Sequence, residues 1–136
     1  MKRTIFLFFI FCFPLSPEKE NFIKNLYIQG FMDGWIYVLK RTEKTLLGAP
    51  KENKELKIVI KENWEDIRDE ISKIADSLSI GVKKEHLYIV YSEGFIDGIF
   101  TGIKDIEEKI PRDLNESKLA EEMFKQKKRY IMELLK

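Results

Sequence analysis

A chain of 136 residues has room for one hydrophobic core. Its 24 basic residues nearly cancel its 23 acidic ones, which excludes the basic excess expected of a nucleic-acid binder. Hydrophobic residues make up 44% of the chain and charged residues 35%, a balance that favours a folded domain over an extended one.

The first residues differ from the rest. Lys2 and Arg3 precede a run of apolar residues from Ile5 to Leu15, the pattern of a secretory signal. The run is too short to cross a bilayer, which takes about 20 residues. It predicts residues 1–16 as a signal peptide, or as an N-terminal tether if it is not cleaved at Ser16, which Pro14 and Pro17 flank. Residues 17–136 are then a single helical domain, periplasmic or secreted, that meets a membrane only through an uncleaved N-terminal segment. The lone cysteine, Cys12, falls in the removed part, so neither a disulfide nor thiol chemistry is expected of the mature chain. Glutamine occurs only at Gln29 and Gln126, whereas Lys, Glu and Ile abound, a thermophile-like composition.

Four helices follow in chain order. The first is predicted over residues 17–45. Pro17, Glu18 and Glu20 suit a helix start, and apolar residues recur at three and four (Phe22, Ile23, Leu26, Tyr27, Phe31, Trp35, Val38, Leu39). Gly48-Ala49-Pro50 breaks it. The second runs over 53–79 with one apolar stripe of Leu56, Ile60, Trp64, Ile67, Ile71, Ile74 and Leu78, and Gly81 is predicted to end it. The third runs over 83–109 and stops at Ile110-Pro111. A capping sequence at Asp113-Leu-Asn115-Glu116 opens the fourth, which continues to the C-terminus with Leu119, Met123, Phe124, Tyr130, Ile131 and Leu134 as its buried face. No strand is predicted.

The first and third helices carry the same phrase. Tyr27-x-x-Gly30-Phe31-x-Asp33-Gly34 returns 64 residues later as Tyr91-x-x-Gly94-Phe95-x-Asp97-Gly98, and the match ends at Lys40 and Lys104. Each copy continues into a proline break and an amphipathic helix, with Leu56, Ile60, Ile67 and Ile71 set against Leu119, Met123, Tyr130 and Leu134. The expected fold is all-α: a pseudo-twofold duplicated αα-hairpin forming a four-helix domain, with repeats over 17–80 and 81–136.

A glycine inside a helix costs about 1 kcal/mol relative to alanine. Here Gly30 and Gly34 on one helix, and Gly94, Gly98 and Gly102 on the other, recur every four residues and leave a strip without side chains. Such strips let two backbones approach closely. The first and third helices are therefore expected to cross at their glycines. Tyr27 and Tyr91 then stand at the centre of each strip with Phe31 and Phe95 beside them, and each tyrosine hydroxyl reaches the aspartate of the other copy, Asp97 or Asp33.

Chemistry-bearing constellations are few. His86, Glu93, Asp97 and Lys104 share one stripe of the third helix. Glu93 and Asp97, joined by Asp33 from the first helix, form a candidate site for a hard divalent cation, and with it an alternative reading as a metal-binding or enzymatic protein. His86 lies seven residues from Glu93, about 10 Å along the helix, too far for the same ion. No Glu-x-x-His pair, nucleophile motif or glycine-rich phosphate loop is present, so no cofactor and no catalytic residue are predicted. The run from Lys125 to Arg129 suits the C-terminal end of a helix.

The second half resembles a known family. The phrase from Tyr91 to Gly98, then Ile110-Pro111, then a capped helix with a late Tyr130-Ile131, is similar to the Rap/Tai-type immunity proteins of type VI secretion. The likeness covers about residues 91–135. It departs from the family at Lys109, where the family's turn carries a cysteine. The resemblance implies a small, exported, helical protein that works by binding another protein, often as a homodimer, with no catalytic residues. Its contacts would lie on loops, here residues 48–53 or 110–115. The resulting expectation is non-catalytic protein binding, with immunity-like inhibition of a cell-wall-targeting effector as its specific form. A membrane-tethered structural or assembly protein is the further alternative.

Overall fold

The computed structural model of the chain describes residues 18–48, 54–108 and 116–136. The predicted signal segment, the breaks at Pro50 and Pro111, and the capping residues Asp113 and Asn115 lie outside the described residues. Among the described residues there are four α-helices and no strand: α1 (Glu18–Leu46), α2 (Leu56–Ser77), α3 (Lys84–Glu107) and α4 (Glu116–Leu134). The all-α four-helix domain is thus what the structure shows.

The end of α2 differs from the expectation that Gly81 stops it. Ser79 takes the left-handed backbone conformation (φ 53°). The N–H of Ile80 then donates to the carbonyl of Ala75 at 3.1 Å, and that of Ser79 to the carbonyl of Asp76 at 3.1 Å. This is a Schellman closure, and Ile80 and Ala75, both buried, supply its apolar contact. Gly81 (φ 72°) comes two residues later, where the chain turns toward α3.

The long helices α1 and α3 form the centre and share by far the most extensive contact. α4 lies mainly against α1, while α2 touches α3 somewhat more than α1. Each short helix thus leans on the long helix of the other copy. Tyr27 packs on Phe124 of α4 with ring centroids 5.6 Å apart, and Trp64 of α2 packs on Tyr91 at 5.3 Å and on Tyr88 at 5.9 Å. Pairs between Lys24 and Glu121 (3.5 Å) and between Lys128 and Glu20 (2.6 Å) tie the rim of α4 to α1.

Two predicted faces are corrected. The buried face of α2 is Val59, Ile60, Trp64, Ile67, Ile71 and Ala75, and Leu56 is 41% exposed. On α4 the buried residues are Ala120, Phe124 and Ile131, whereas Leu119 and Tyr130 are 41% and 52% exposed. On α4 the cause is one residue of register. The 64-residue offset of the long helices holds in the short ones too, pairing Ile60 with Phe124 and Ile67 with Ile131. The alignment with Leu119, Met123, Tyr130 and Leu134 uses 63. One residue turns a helix by 100°, enough to move a side chain from core to flank.

Candidate functional site

The crossing of α1 and α3 is built as the repeated phrase requires. A Cβ added at Gly30 or Gly34 would overlap the carbonyl oxygen of Tyr91 or Phe95. A Cβ at Gly94 or Gly98 would overlap that of Tyr27 or Phe31. The four clashes are reciprocal, as an approximate twofold axis demands. A hydrogen fits against the opposing backbone at these positions and a methyl group does not, so the cost of four mid-helix glycines is offset by contact along both backbones. Gly102 is different: its Cβ would meet only side-chain atoms, with Val38 at 3.1 Å and Trp35 at 3.5 Å.

Both predicted tyrosine–aspartate bonds are present. The Tyr27 hydroxyl donates to Asp97 Oδ2 at 2.5 Å and the Tyr91 hydroxyl to Asp33 Oδ2 at 2.6 Å. Both tyrosines are fully buried, so each hydroxyl needs an acceptor inside the protein. Phe31 and Phe95 are fully buried beside them.

The surroundings of the two aspartates break the symmetry. Asp33 Oδ1 accepts from Gln29 Nε2 at 3.2 Å. Asp97 Oδ2 instead accepts from Lys127 Nζ of α4 at 2.8 Å, and the same ammonium lies 3.4 Å from Glu93 Oε2. At the 64-residue offset Gln29 is the counterpart of Glu93, and Asn63 is that of Lys127. An ion pair in one copy thus stands where the other has two amides. Lys127 and Gln29 escaped the sequence reading. The repeat offset, carried through to the short helices, was the signal that would have found them.

The candidate cation site is not assembled. Glu93 and Asp97 close on Lys127, and Asp33 is held by Tyr91 and Gln29 in the opposite copy. Among the described residues no group of three or more His, Cys, Asp or Glu side chains stands close enough to hold a metal ion. His86 is half-buried in the first turn of α3, and Lys104 is exposed near its end.

The electrostatics of this network predict an alkaline limit to stability. Burial first, then the bond to Asp97 and the charges of Asp97 and Glu93, push the Tyr27 hydroxyl far above the ordinary phenol range. For Lys127, burial alone would lower the ammonium, but the bonds and charges of Asp97 and Glu93 outweigh it and hold it above its ordinary value. Both folded-state values are raised. Their contribution is therefore complete below the unfolded values of about 10 and is lost as pH rises through the folded ones. Urea midpoints of the wild type are expected to fall above about pH 10, and Tyr27→Phe or Lys127→Met should flatten that fall. Equal slopes in wild type and variants would refute the assignment.

A second feature lies at the far end of the crossing. The C-terminal parts of α1 and α3 and the start of α2 enclose a groove of about 600 Å³ lined by Tyr37, Val38, Arg41, Leu46, Leu56 and Ile103, among others. On its wall Leu46 is 83% exposed, and Leu56 and Ile103 are each 41% exposed. No helix among the described residues is long and apolar enough to cross a membrane. No family model matches the chain, and no curated protein or solved structure matches it either.

Proposed function

We propose that this protein acts without catalysis, by binding another protein through the apolar end of its helical domain. The observation that carries this reading is the exposure of Leu46, Leu56 and Ile103 in the lining of one groove. Exposed apolar surface grouped in this way is costly in water and marks interaction sites. The titratable side chains of the crossing support the same view. Tyr27, Tyr91, Asp33, Asp97, Glu93 and Lys127 are engaged with one another, so their repetition is accounted for by architecture.

The finer form of the proposal is immunity-like inhibition of a cell-wall-targeting effector outside the cytoplasm. It is supported by the basic start and apolar run of residues 1–16 and by the likeness of residues 91–135 to Rap/Tai-type immunity proteins. The test is genetic and biochemical together. An effector gene beside this one should encode a toxic protein whose product forms a purified complex with the domain. Co-expression of the domain with its leader should restore growth. A stable complex without rescue would leave protein binding standing and remove the immunity role. A purified neighbouring effector that neither binds nor is neutralised would remove both.

A further inference from the structure

The ties that hold the long helices together run between the repeats. The bonds of Tyr27 to Asp97, Tyr91 to Asp33 and Trp35 to Asp105 all cross from residues 18–80 to residues 81–136. So do the ring contacts of Tyr27 with Phe124, Tyr37 with Phe95 and Trp64 with Tyr91, and the ion pairs of Lys24 with Glu121 and Lys128 with Glu20. The covalent link between the repeats is the stretch 78–83, from the end of α2 to the start of α3. It reverses the chain through two left-handed residues, Ser79 (φ 53°) and Gly81 (φ 72°). The Schellman closure, the burial of Ile80 and the Lys84 ammonium, 2.8 Å from Asp76, hold the turn shut.

We propose that this link is a hinge and that two copies of the chain exchange repeats, α1 and α2 of one copy closing on α3 and α4 of the other. The crossing is made of the same atoms whether or not both repeats belong to one chain. An exchanged dimer therefore keeps the bonds and ring contacts named above and gives up those of the turn. An opened link over 78–83 spans at most about 20 Å, enough for two domains to sit side by side. Opening also releases Ser79, which carries a Cβ, from the left-handed region. The pairing is keyed to unlike repeats. The Trp35 indole lies against Gly102, 3.5 Å from where a Cβ would stand, and donates to Asp105 Oδ2 at 3.1 Å. At the 64-residue offset Ile99 is the counterpart of Trp35, Val38 that of Gly102 and Arg41 that of Asp105. Two first repeats would press each Trp35 onto Val38 and turn its N–H toward a guanidinium. Two second repeats would set Ile99 against Gly102 and take the indole from Asp105. A first repeat thus selects a second repeat, and two copies complete the exchange. This inference does not depend on the protein-binding reading.

Within one copy a short link holds the repeats at an effective concentration in the millimolar range, so monomer is expected after refolding at about 10 µM and a dimer fraction after refolding at about 1 mM. A proline ring cannot take the positive φ of residue 81, so Gly81→Pro should shift the chain to two-chain mass at the lower concentration. Column-coupled light scattering reads both. The deciding test mixes two damaged chains. Gly34→Leu drives a side chain into the carbonyl of Phe95, and Gly98→Leu into that of Phe31. Each alone is expected to lose the fold or to melt well below wild type, and exchange between identical copies restores nothing. Unfolded and refolded together, the two form mixed dimers in which the sound first repeat of one chain closes on the sound second repeat of the other. The expected result is a melting transition at the wild-type temperature, absent from either chain alone, with up to half the wild-type amplitude and at two-chain mass. A mixture that melts as the sum of its components would overturn the proposal, as would wild type that keeps one-chain mass after refolding at the higher concentration. A folded Gly81→Pro chain of one-chain mass would overturn the hinge assignment. Melting curves identify a Gly81→Pro chain that fails to fold, and the mixing test does not use it.

Discussion

Replacing Gly98 by alanine is expected to lower the melting temperature by roughly 10 °C or more, or to abolish the folded state. In an ordinary exposed helix the same change stabilises by about 1 kcal/mol. Here the new methyl group meets the carbonyl of Phe31, a backbone atom with no rotamer to change. Relief requires α1 and α3 to separate, which loosens Tyr27, Phe31, Tyr91 and Phe95, all fully buried. Overpacking of this kind costs about 3 kcal/mol or more, outweighing the gain in helix propensity. Gly102→Ala is the internal control. Its methyl group meets only Val38 and Trp35 side chains, which can yield by tenths of an ångström, so a change within about 1 kcal/mol is expected. Far-ultraviolet circular dichroism during heating reads both. Similar melting temperatures for Gly98→Ala and wild type would mean that the two backbones do not touch.

Tyr91→Phe is expected to destabilise by about 1.5–3 kcal/mol, and Tyr27→Phe by less, about 1 kcal/mol. Each change removes an O–H donor from a carboxylate and leaves a ring of the same shape. The difference lies in what remains. Asp97 keeps the Lys127 ammonium on the same oxygen at 2.8 Å, so its charge is still compensated. Asp33, 8% exposed, keeps the neutral Gln29 amide at 3.2 Å. A buried carboxylate deprived of a short bond is costly, and the loss is smaller where a cation shares the same oxygen, as at Asp97. Chemical denaturation of the two variants and of the double variant tests the ranking. A larger loss for Tyr27→Phe would show that the ion pair in the second copy does not carry the compensation assigned to it.

Much of this architecture was legible in the repeated phrase. Glycines four apart have no purpose on a solvated helix, so their recurrence pointed to a backbone-to-backbone crossing. The shared Tyr and Asp then had to meet across it, because a buried hydroxyl and a buried carboxylate each need a partner. Helix existence was equally legible, since the apolar period near 3.6 runs through all four segments.

The faces of the short helices were not legible. α4 offers apolar residues over a wide arc, including Leu119, Ala120, Met123, Phe124, Ile131 and Leu134, and several rotations bury a similar area. Contact with α1 selects Ala120, Phe124 and Ile131 and leaves Leu119 and Tyr130 in water. The same choice carries Lys127 inward to Glu93 and Asp97, which turns a predicted cation site into an ion pair with a side chain of the chain itself. The groove was also hidden. It forms between residues of α1, α3 and the start of α2 that lie far apart in the chain.

By itself the sequence determined the number of helices, the duplication and the glycine crossing, because these follow from local periodicity and from the cost of removing side chains without return. Only the tertiary structure decided which flank of each amphipathic helix is buried, which cation answers which carboxylate, and where the symmetry leaves apolar surface uncovered. Those outcomes depend on small differences in helix rotation and on contacts between residues as distant in the chain as Glu20 and Lys128, for which no local pattern carries a signal.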